Sequence, residues 1–143
     1  EKRELENAQC PMPNDQSNIV FVRPRPWAEI PIWLKAADVL VLPNTGRMKV
    51  SQYYTSPMKL FEYMASGRPI VASDIPSIRE VVDESMVLFA TPDNPRSFAD
   101  AIRQALANLG EAKRRIAHAR QEVAQYTWEA RAQRILSHLG LQF

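Results

Sequence analysis

Short apolar runs alternate with helix-like segments along this chain, and this alternation limits the fold more than any other feature. Residues 39–42 place four consecutive apolar residues between turn signals, as in a parallel strand covered on both faces. Apolar runs at 19–22, 69–73 and 86–89 have a similar form. The sequence therefore predicts an α/β fold, a Rossmann-like doubly wound parallel sheet with helices on both faces.

Caps and stop residues set the predicted helix ends. Ser56 supplies an N-cap with proline after it, and Gly67 ends that helix. Asn94 or Asp93 is predicted to cap a later helix that ends at Gly110. The predicted helices cover residues 27–38, 56–66, 77–83, 95–109, 111–125 and a last segment that begins after residue 127.

The composition is that of one soluble globular domain, with 143 residues, of which 45% are hydrophobic and 24% charged. We expect a single domain over residues 1–143, in which 111–143 are C-terminal helices. The net charge of +2 forms no basic stripe, which argues against a nucleic-acid partner. The lone Cys10 and the lack of a signal-peptide pattern favour the cytoplasm. Any membrane association is expected to be peripheral, at the inner face, because no apolar run approaches the roughly 20 residues that span a bilayer.

In a doubly wound sheet, ligands bind at the carboxyl ends of the strands. There, residues 44–55 form a connection that is long against the usual range of roughly 2–6 residues. The helix after this connection begins with free amides on Met58, Lys59 and Leu60 and with the positive end of the helix dipole, which suits a phosphate. The alternative is that Ser56 only starts a helix and that Lys59 is a solvated surface residue.

Glu62 lies in the second turn of the same helix. Its carboxylate could reach a ligand at the helix start and accept hydrogen bonds from vicinal hydroxyls such as those of a ribose. An exposed helix glutamate is the commoner alternative for Glu62. Arg79 and Glu80 on the next helix could pair with neighbouring groups or face the rim, and Arg79 is interpreted as a solvated helix charge. His118 and His138 are isolated, so no metal site is predicted. No glycine-rich phosphate-binding motif is present.

Three stretches of the sequence resemble one known family. The runs ADVLVLPN, SPMKLFEYMASGRPIVASDIPSIREVV and YTWEARAQRIL closely resemble the C-terminal, donor-binding domain of glycosyltransferase family 4, the retaining enzymes of the GT-B fold. The resemblance covers residues 19–139. It implies transfer of a sugar from a nucleoside diphosphate sugar to a glycan or lipid-linked acceptor. The donor is a substrate, and no cofactor is expected.

The resemblance also assigns roles to individual residues. A glutamate at the position of Glu62 binds the ribose hydroxyls, and the segment corresponding to 55–60 approaches the diphosphate and sugar. Tyr54 stands where the family has a second glutamate. No catalytic residue is assigned. The predicted donor-binding residues are Tyr54, Thr55, Ser56, Met58, Lys59, Leu60 and Glu62.

The resemblance further implies that other parts complete the enzyme. The family's domain opens with a strand, a glycine-bearing turn and a helix, and it faces an N-terminal acceptor domain. The first nine residues, EKRELENAQ, are similar to the end of that helix. We therefore expect a fragment that is inactive alone and needs the acceptor domain or another chain. The alternatives are a GT-B nucleotide-sugar epimerase and a non-catalytic nucleotide-binding or assembly module.

Overall fold

A computed structural model describes residue 20 and residues 22–140. Within them, three parallel strands form a sheet in the order β1 (Leu40–Leu42), β2 (Ile70–Ser73) and β3 (Leu88–Ala90). Leu42 lies opposite Ala72, and Ala72 lies opposite Phe89. The predicted parallel sheet is confirmed.

Helices separate the strands and continue the chain after the last one. They are α1 (Ile30–Ala36), α2 (Met58–Ser66), α3 (Pro76–Arg79), α4 (Pro95–Ala107), α5 (Leu109–Val123) and α6 (Trp128–His138). Trp27–Glu29 and Ala124–Tyr126 form 3₁₀ turns, and Val50–Tyr54 forms a π-helical turn. None of the helices in the described part of the chain has the length and apolar character needed to cross a membrane.

The central strand β2 has all four residues buried. Since successive side chains of a strand point to opposite faces, β2 contributes to two cores. Ile70 and Ala72 belong to a cluster that includes Leu60 of α2. Val71 belongs to a second cluster with Ala101 of α4. Helices therefore cover both faces, which confirms the predicted α/β, Rossmann-like fold.

Three of the predicted helix boundaries are confirmed by their hydrogen bonds or backbone angles. Gly67 comes directly after α2 and lies in the left-handed region with φ of 76°, which a residue without Cβ adopts at little cost. Asn94 caps α4, since its side chain accepts a hydrogen bond from an α4 amide. Thr127 caps α6 in the same way.

The prediction that Gly110 ends the helix before it is wrong. The helix α4 stops at Ala107, and Asn108 leaves the helical region with φ of −115° and ψ of 77°. The Asn108 side chain then accepts a hydrogen bond from the Glu111 N–H at 3.1 Å, so it is the N-cap of α5. Gly110 consequently lies inside the first turn of α5.

The segment between β2 and β3 is less regular than predicted. The helix predicted over 77–83 is a single turn, α3. The strand predicted over 86–89 begins only at Leu88, because the N–H groups of Met86 and Val87 both donate to the Asp83 carbonyl at 3.1 Å. A tight turn therefore occupies the start of the predicted strand.

The N-terminal predictions have a mixed outcome. The strand predicted over 19–22 includes Ile19 and Phe21, which lie outside the described residues, and Val20 and Val22 belong to no strand. The helix predicted over 27–38 is a 3₁₀ turn that leads into α1, and Pro31 lies in the first turn of α1. No residue of α1 is buried, so its apolar side chains form no core face.

Arg79 is an exposed helix charge, as interpreted, and it also pairs with two neighbouring carboxylates. Its Nε and Nη2 atoms donate to the two oxygens of Asp74, and Nη1 donates to Glu84 at 2.8 Å. The guanidinium lies 4.2 Å from the centre of the Phe89 ring. Hydrogen bonding from Arg79 lowers the pKa of Asp74 and of Glu84. The arginine thus joins the end of β2 to α3 and β3.

Gly67 and Gly110 allow a matched test of the helix ends. Gly67→Ala should lower the free energy of unfolding by about 1 kcal/mol, because alanine is disfavoured in the left-handed region. Gly110→Ala should raise it by about 0.5–1 kcal/mol, because alanine is favoured inside a helix. An added Cβ meets no atom closer than 3.7 Å at either position. Urea unfolding measures both changes, and a destabilised Gly110→Ala variant would contradict the position of Gly110 within α5.

Asp74→Asn should alter how stability depends on pH. The pKa of Asp74 lies below its ordinary value of 3.8 in the folded protein. Its ionised form therefore stabilises the fold above about pH 4, and this contribution is lost as the pH falls through the lower folded-state pKa. The difference in melting temperature between wild type and Asp74→Asn should be largest near neutral pH and vanish at low pH. Asp100→Asn, which breaks an exposed ion pair on α4, is the control, and an equal effect of both variants would refute the role of Asp74.

Candidate functional site

The carboxyl ends of the three strands meet at one edge of the sheet, and residues 44–55 run across it. We call this segment the rim loop. It leaves β1, makes the π-helical turn Val50–Tyr54 and reaches the start of α2. The turn packs against α3. The predicted long connection is therefore an ordered segment that covers the edge where ligands bind in sheets of this kind.

Two buried serines hold the rim loop. Ser73, at the end of β2, is fully buried, and its hydroxyl donates to the Asn44 carbonyl at 2.6 Å. Ser77 of α3 is 4% exposed, and its hydroxyl donates to the Ser51 carbonyl at 2.9 Å. Buried hydroxyls are costly without a partner, so both serines favour the observed path of the loop.

The start of α2 differs from its prediction. Pro57, not Ser56, occupies the N-cap position, and no side chain caps the helix. The Met58 N–H donates to the Ser56 carbonyl at 2.9 Å, and the Leu60 N–H donates to the Pro57 carbonyl at 2.8 Å. Of the three amides expected to be free for a phosphate, only that of Lys59 has no acceptor among the described residues. Because the proline side chain has no hydrogen-bond acceptor, the amides of Met58 and Leu60 donate to nearby backbone carbonyls instead.

The predicted binding residues differ in exposure. Tyr54 is 80% exposed, and Met58, Lys59 and Ser56 are exposed as well. Leu60 is fully buried in the core, so its side chain is not accessible to a ligand. Thr55 is half-buried, and its hydroxyl donates to the Val50 carbonyl at 2.9 Å, within the rim loop.

Glu62 lies on the face of α2 that points toward α1. It lines a cleft of about 330 Å³ between these two helices. The cleft is also lined by Trp27, Ile30, Pro31, Leu34, Lys35, Ala65 and Ser66. Glu62 itself is exposed, so its carboxylate is accessible in a mostly apolar cleft with one ammonium group.

Sequence reasoning missed the apolar wall of this cleft. Trp27 and Leu34 were predicted only as members of a helix over 27–38, and Trp27 is 83% exposed. The sequence signal that could have identified Trp27 is its position directly after the proline-rich turn 23–26, at the carboxyl end of the strand predicted over 19–22. Tyr63, the neighbour of Glu62, is half-buried, and its pKa is raised by burial and further by the Glu62 carboxylate.

The helix start contributes to a second cleft. Ser56, Met58 and Phe61 face a space of about 420 Å³ beside α6. Its other lining residues are Tyr126, Thr127, Trp128, Arg131 and Arg134. The structure thus divides the predicted binding residues: Glu62 faces α1, and Ser56 and Met58 face α6. Among the described residues no cluster of three metal-ligating side chains is found.

Comparisons with solved structures support the fold. The Anabaena HepE protein in complex with UDP and glucose matches 78% of this chain and 29% of its own, with a TM-score of 0.67 and 19% identity. The sucrose-phosphate synthase from Thermosynechococcus elongatus matches 76% of this chain and 26% of its own, with a TM-score of 0.58 and 26% identity.

Sequence comparisons agree with the structural ones. The D-inositol 3-phosphate glycosyltransferase of Corynebacterium urealyticum is 28% identical over 81% of this chain and 26% of its own length. The phosphatidyl-myo-inositol mannosyltransferase of Mycobacterium leprae is 31% identical over 72% of this chain and 26% of its own length. The chain thus spans about a quarter of the length of these relatives. The family model for glycosyl transferases group 1 matches residues 1–108, and the chain therefore belongs to this family.

Proposed function

We propose that this chain is the donor-binding part of a retaining glycosyltransferase of family 4 with the GT-B fold. In this proposal the enzyme transfers a sugar from a nucleoside diphosphate sugar to a glycan or lipid-linked acceptor. Family membership supports the enzyme class. The observation that carries the proposal is the accessible Glu62 carboxylate in an apolar cleft lined by an aromatic ring.

The cleft between α1 and α2 suits a nucleoside. A carboxylate accepts hydrogen bonds from two vicinal hydroxyls, which matches Glu62 to a ribose. The indole of Trp27 offers a face on which a base can stack, and Ile30 and Leu34 add apolar contact. Because Trp27 and Glu62 line the same cleft, one nucleoside can engage both.

The diphosphate would lie toward the start of α2. Lys59 is exposed in the first turn, and its own N–H is free among the described residues. The helix dipole adds roughly half a positive charge at this end. Stabilisation of the departing diphosphate by these groups would be the main contribution of this domain to transfer. The sugar would then lie beside Tyr54 and Thr55 of the rim loop.

By analogy, one named protein supports a nucleotide-sugar donor and another supports sugar transfer. One of the similar structures contains UDP and glucose, and one relative is named as a mannosyltransferase. In our proposal, an acceptor domain or another chain supplies the residues that bind the acceptor. The isolated chain would then bind the donor without transferring its sugar.

Glu62→Ala tests the ribose contact. Loss of hydrogen bonds to a charged acceptor should weaken nucleoside diphosphate binding by about 1–3 kcal/mol. Calorimetric titration with UDP, GDP and ADP measures the change. Asp100→Ala is the control, since it removes an exposed carboxylate from α4 on the opposite face of the sheet. Unchanged affinity of Glu62→Ala for all three nucleotides would eliminate this site.

Trp27→Ala tests the base contact separately. If the base stacks on the indole, affinity for the preferred nucleoside diphosphate should fall by about 1–3 kcal/mol, and affinity for pyrophosphate should not change. Trp33→Ala is the matched control, because Trp33 belongs to α1 and does not line the cleft. Equal losses for the two tryptophan variants would show that stacking on Trp27 is not specific.

A further inference from the structure

Asp93 combines an unusual backbone conformation with a long-range contact. Among the described residues it alone has a positive φ without being glycine, at 57°. Residues with a Cβ atom are disfavoured there, although aspartate tolerates the region better than most. Its φ makes Asp93 a strained position whose side chain calls for an explanation.

One oxygen of the Asp93 carboxylate binds the beginning of the rim loop. Oδ2 accepts hydrogen bonds from the Gly46 N–H at 2.9 Å and from the Thr45 hydroxyl at 3.1 Å. The Nε atom of Arg47 lies 3.8 Å from the same oxygen. We call this set of contacts the clasp. The clasp is a long-range contact, since Gly46 and Asp93 lie 47 positions apart in the sequence and Thr45 and Asp93 lie 48 apart.

The backbone at Gly46 fits the clasp closely. A Cβ atom at this position would lie 2.9 Å from the Cβ of Pro92, nearer than side chains pack. The loop therefore lies directly against the Pro92–Asp93 turn, and glycine is required there. This steric observation is independent of the hydrogen bonds and supports the same contact.

The local structure around Asp93 does not need its carboxylate. Asn94 caps α4 by accepting from the Ser97 N–H at 3.2 Å, and the Ser97 hydroxyl accepts from the Thr91 N–H at 2.8 Å. These bonds set the turn and the helix start. A glycine at position 93 would adopt this positive φ more easily than aspartate does. The contacts of the Asp93 carboxylate are therefore those with the rim loop.

A chain of contacts leads from the clasp to the donor site. The Gly46 carbonyl accepts a hydrogen bond from the side-chain amide of Gln52 in the π-helical turn. The Thr55 hydroxyl closes the same turn onto the Val50 carbonyl at 2.9 Å. The position of the clasp thereby fixes the turn that ends at Tyr54, next to the start of α2.

We propose that Asp93 is a positioning residue for donor binding. By holding residues 45–47, it fixes the rim loop so that Tyr54 and Thr55 are presented beside Lys59 and the start of α2. This inference rests on the proposed function, and it adds a residue that touches no ligand. The free-energy cost of the positive φ at Asp93 is offset by a rim loop that is already ordered before the donor binds.

Trypsin offers a direct readout of the clasp, because Arg47 and Lys49 lie in the rim loop. Asp93→Gly keeps the backbone conformation accessible and removes the carboxylate. Since bonds to a charged acceptor are lost, cleavage of the native protein after Arg47 and Lys49 should become about tenfold faster or more. Affinity for the nucleoside diphosphate that the wild type prefers should fall several-fold, without a loss of melting temperature.

Two further variants complete the test. Asp93→Asn retains an oxygen acceptor and should give intermediate cleavage. Asp100→Asn, which changes an exposed carboxylate on α4, should leave rim-loop cleavage unchanged. Unchanged cleavage in Asp93→Gly would refute the clasp. Faster cleavage with wild-type nucleotide affinity would show that the clasp holds the loop but does not position the donor site. A wild-type protein that binds none of UDP, GDP and ADP would overturn the proposed function and the positioning role with it, while the cleavage result would still decide the clasp.

Discussion

Burial of β2 between helices on both faces of the sheet is the constraint on which the rest of the structure depends. The buried side chains of Ile70 and Val71 in this strand contribute about 1.5–3 kcal/mol each. Because β2 pairs with β1 on one side and β3 on the other, it brings the ends of all three strands to one edge. Ser73 is the last residue of β2, and its buried hydroxyl then has to be satisfied by the rim loop.

The rim loop turns this edge into a defined surface. Polar contacts from three different elements reach it, namely from Ser73 at the end of β2, Ser77 in α3 and Asp93 after β3. Among the described residues, every buried side-chain nitrogen and oxygen has a partner. A loop held in this way can present exposed side chains such as Tyr54 in a fixed arrangement. The ordering cost is then met during folding rather than during ligand binding.

Local signals predicted the parts of the fold that depend on local chemistry. Gly67 and Asn94 were predictable because a left-handed stop and an amide cap involve only neighbouring residues. The break at Asn108 was missed because a cap and a glycine two residues apart compete as boundary signals. Ser56 was predicted to cap α2, but the chain reaches the helix through Pro57 instead.

Long-range features of the site were not predictable from the pattern. The contact of Asp93 with Gly46 joins two turns that only the parallel sheet brings together. Trp27 lies in a segment predicted to be helical, and its place in the cleft depends on the packing of α1 against α2. Glu62 could be proposed because the sequence around it resembles that of family members. The cleft around it could not be predicted, because it forms only when α1 packs against α2.

The central claim is that a nucleoside diphosphate binds between α1 and α2, and the three tryptophans of this chain test it in one experiment. Trp27 lines the cleft that contains Glu62, Trp33 lies on α1 without lining that cleft, and Trp128 lines the cleft beside α6. Their indole N–H signals can be followed by ¹H–¹⁵N correlation spectroscopy during titration with UDP, GDP and ADP. The account predicts that one of these nucleotides shifts the Trp27 signal and leaves those of Trp33 and Trp128 in place. A saturating shift at Trp128 with Trp27 unchanged would contradict it.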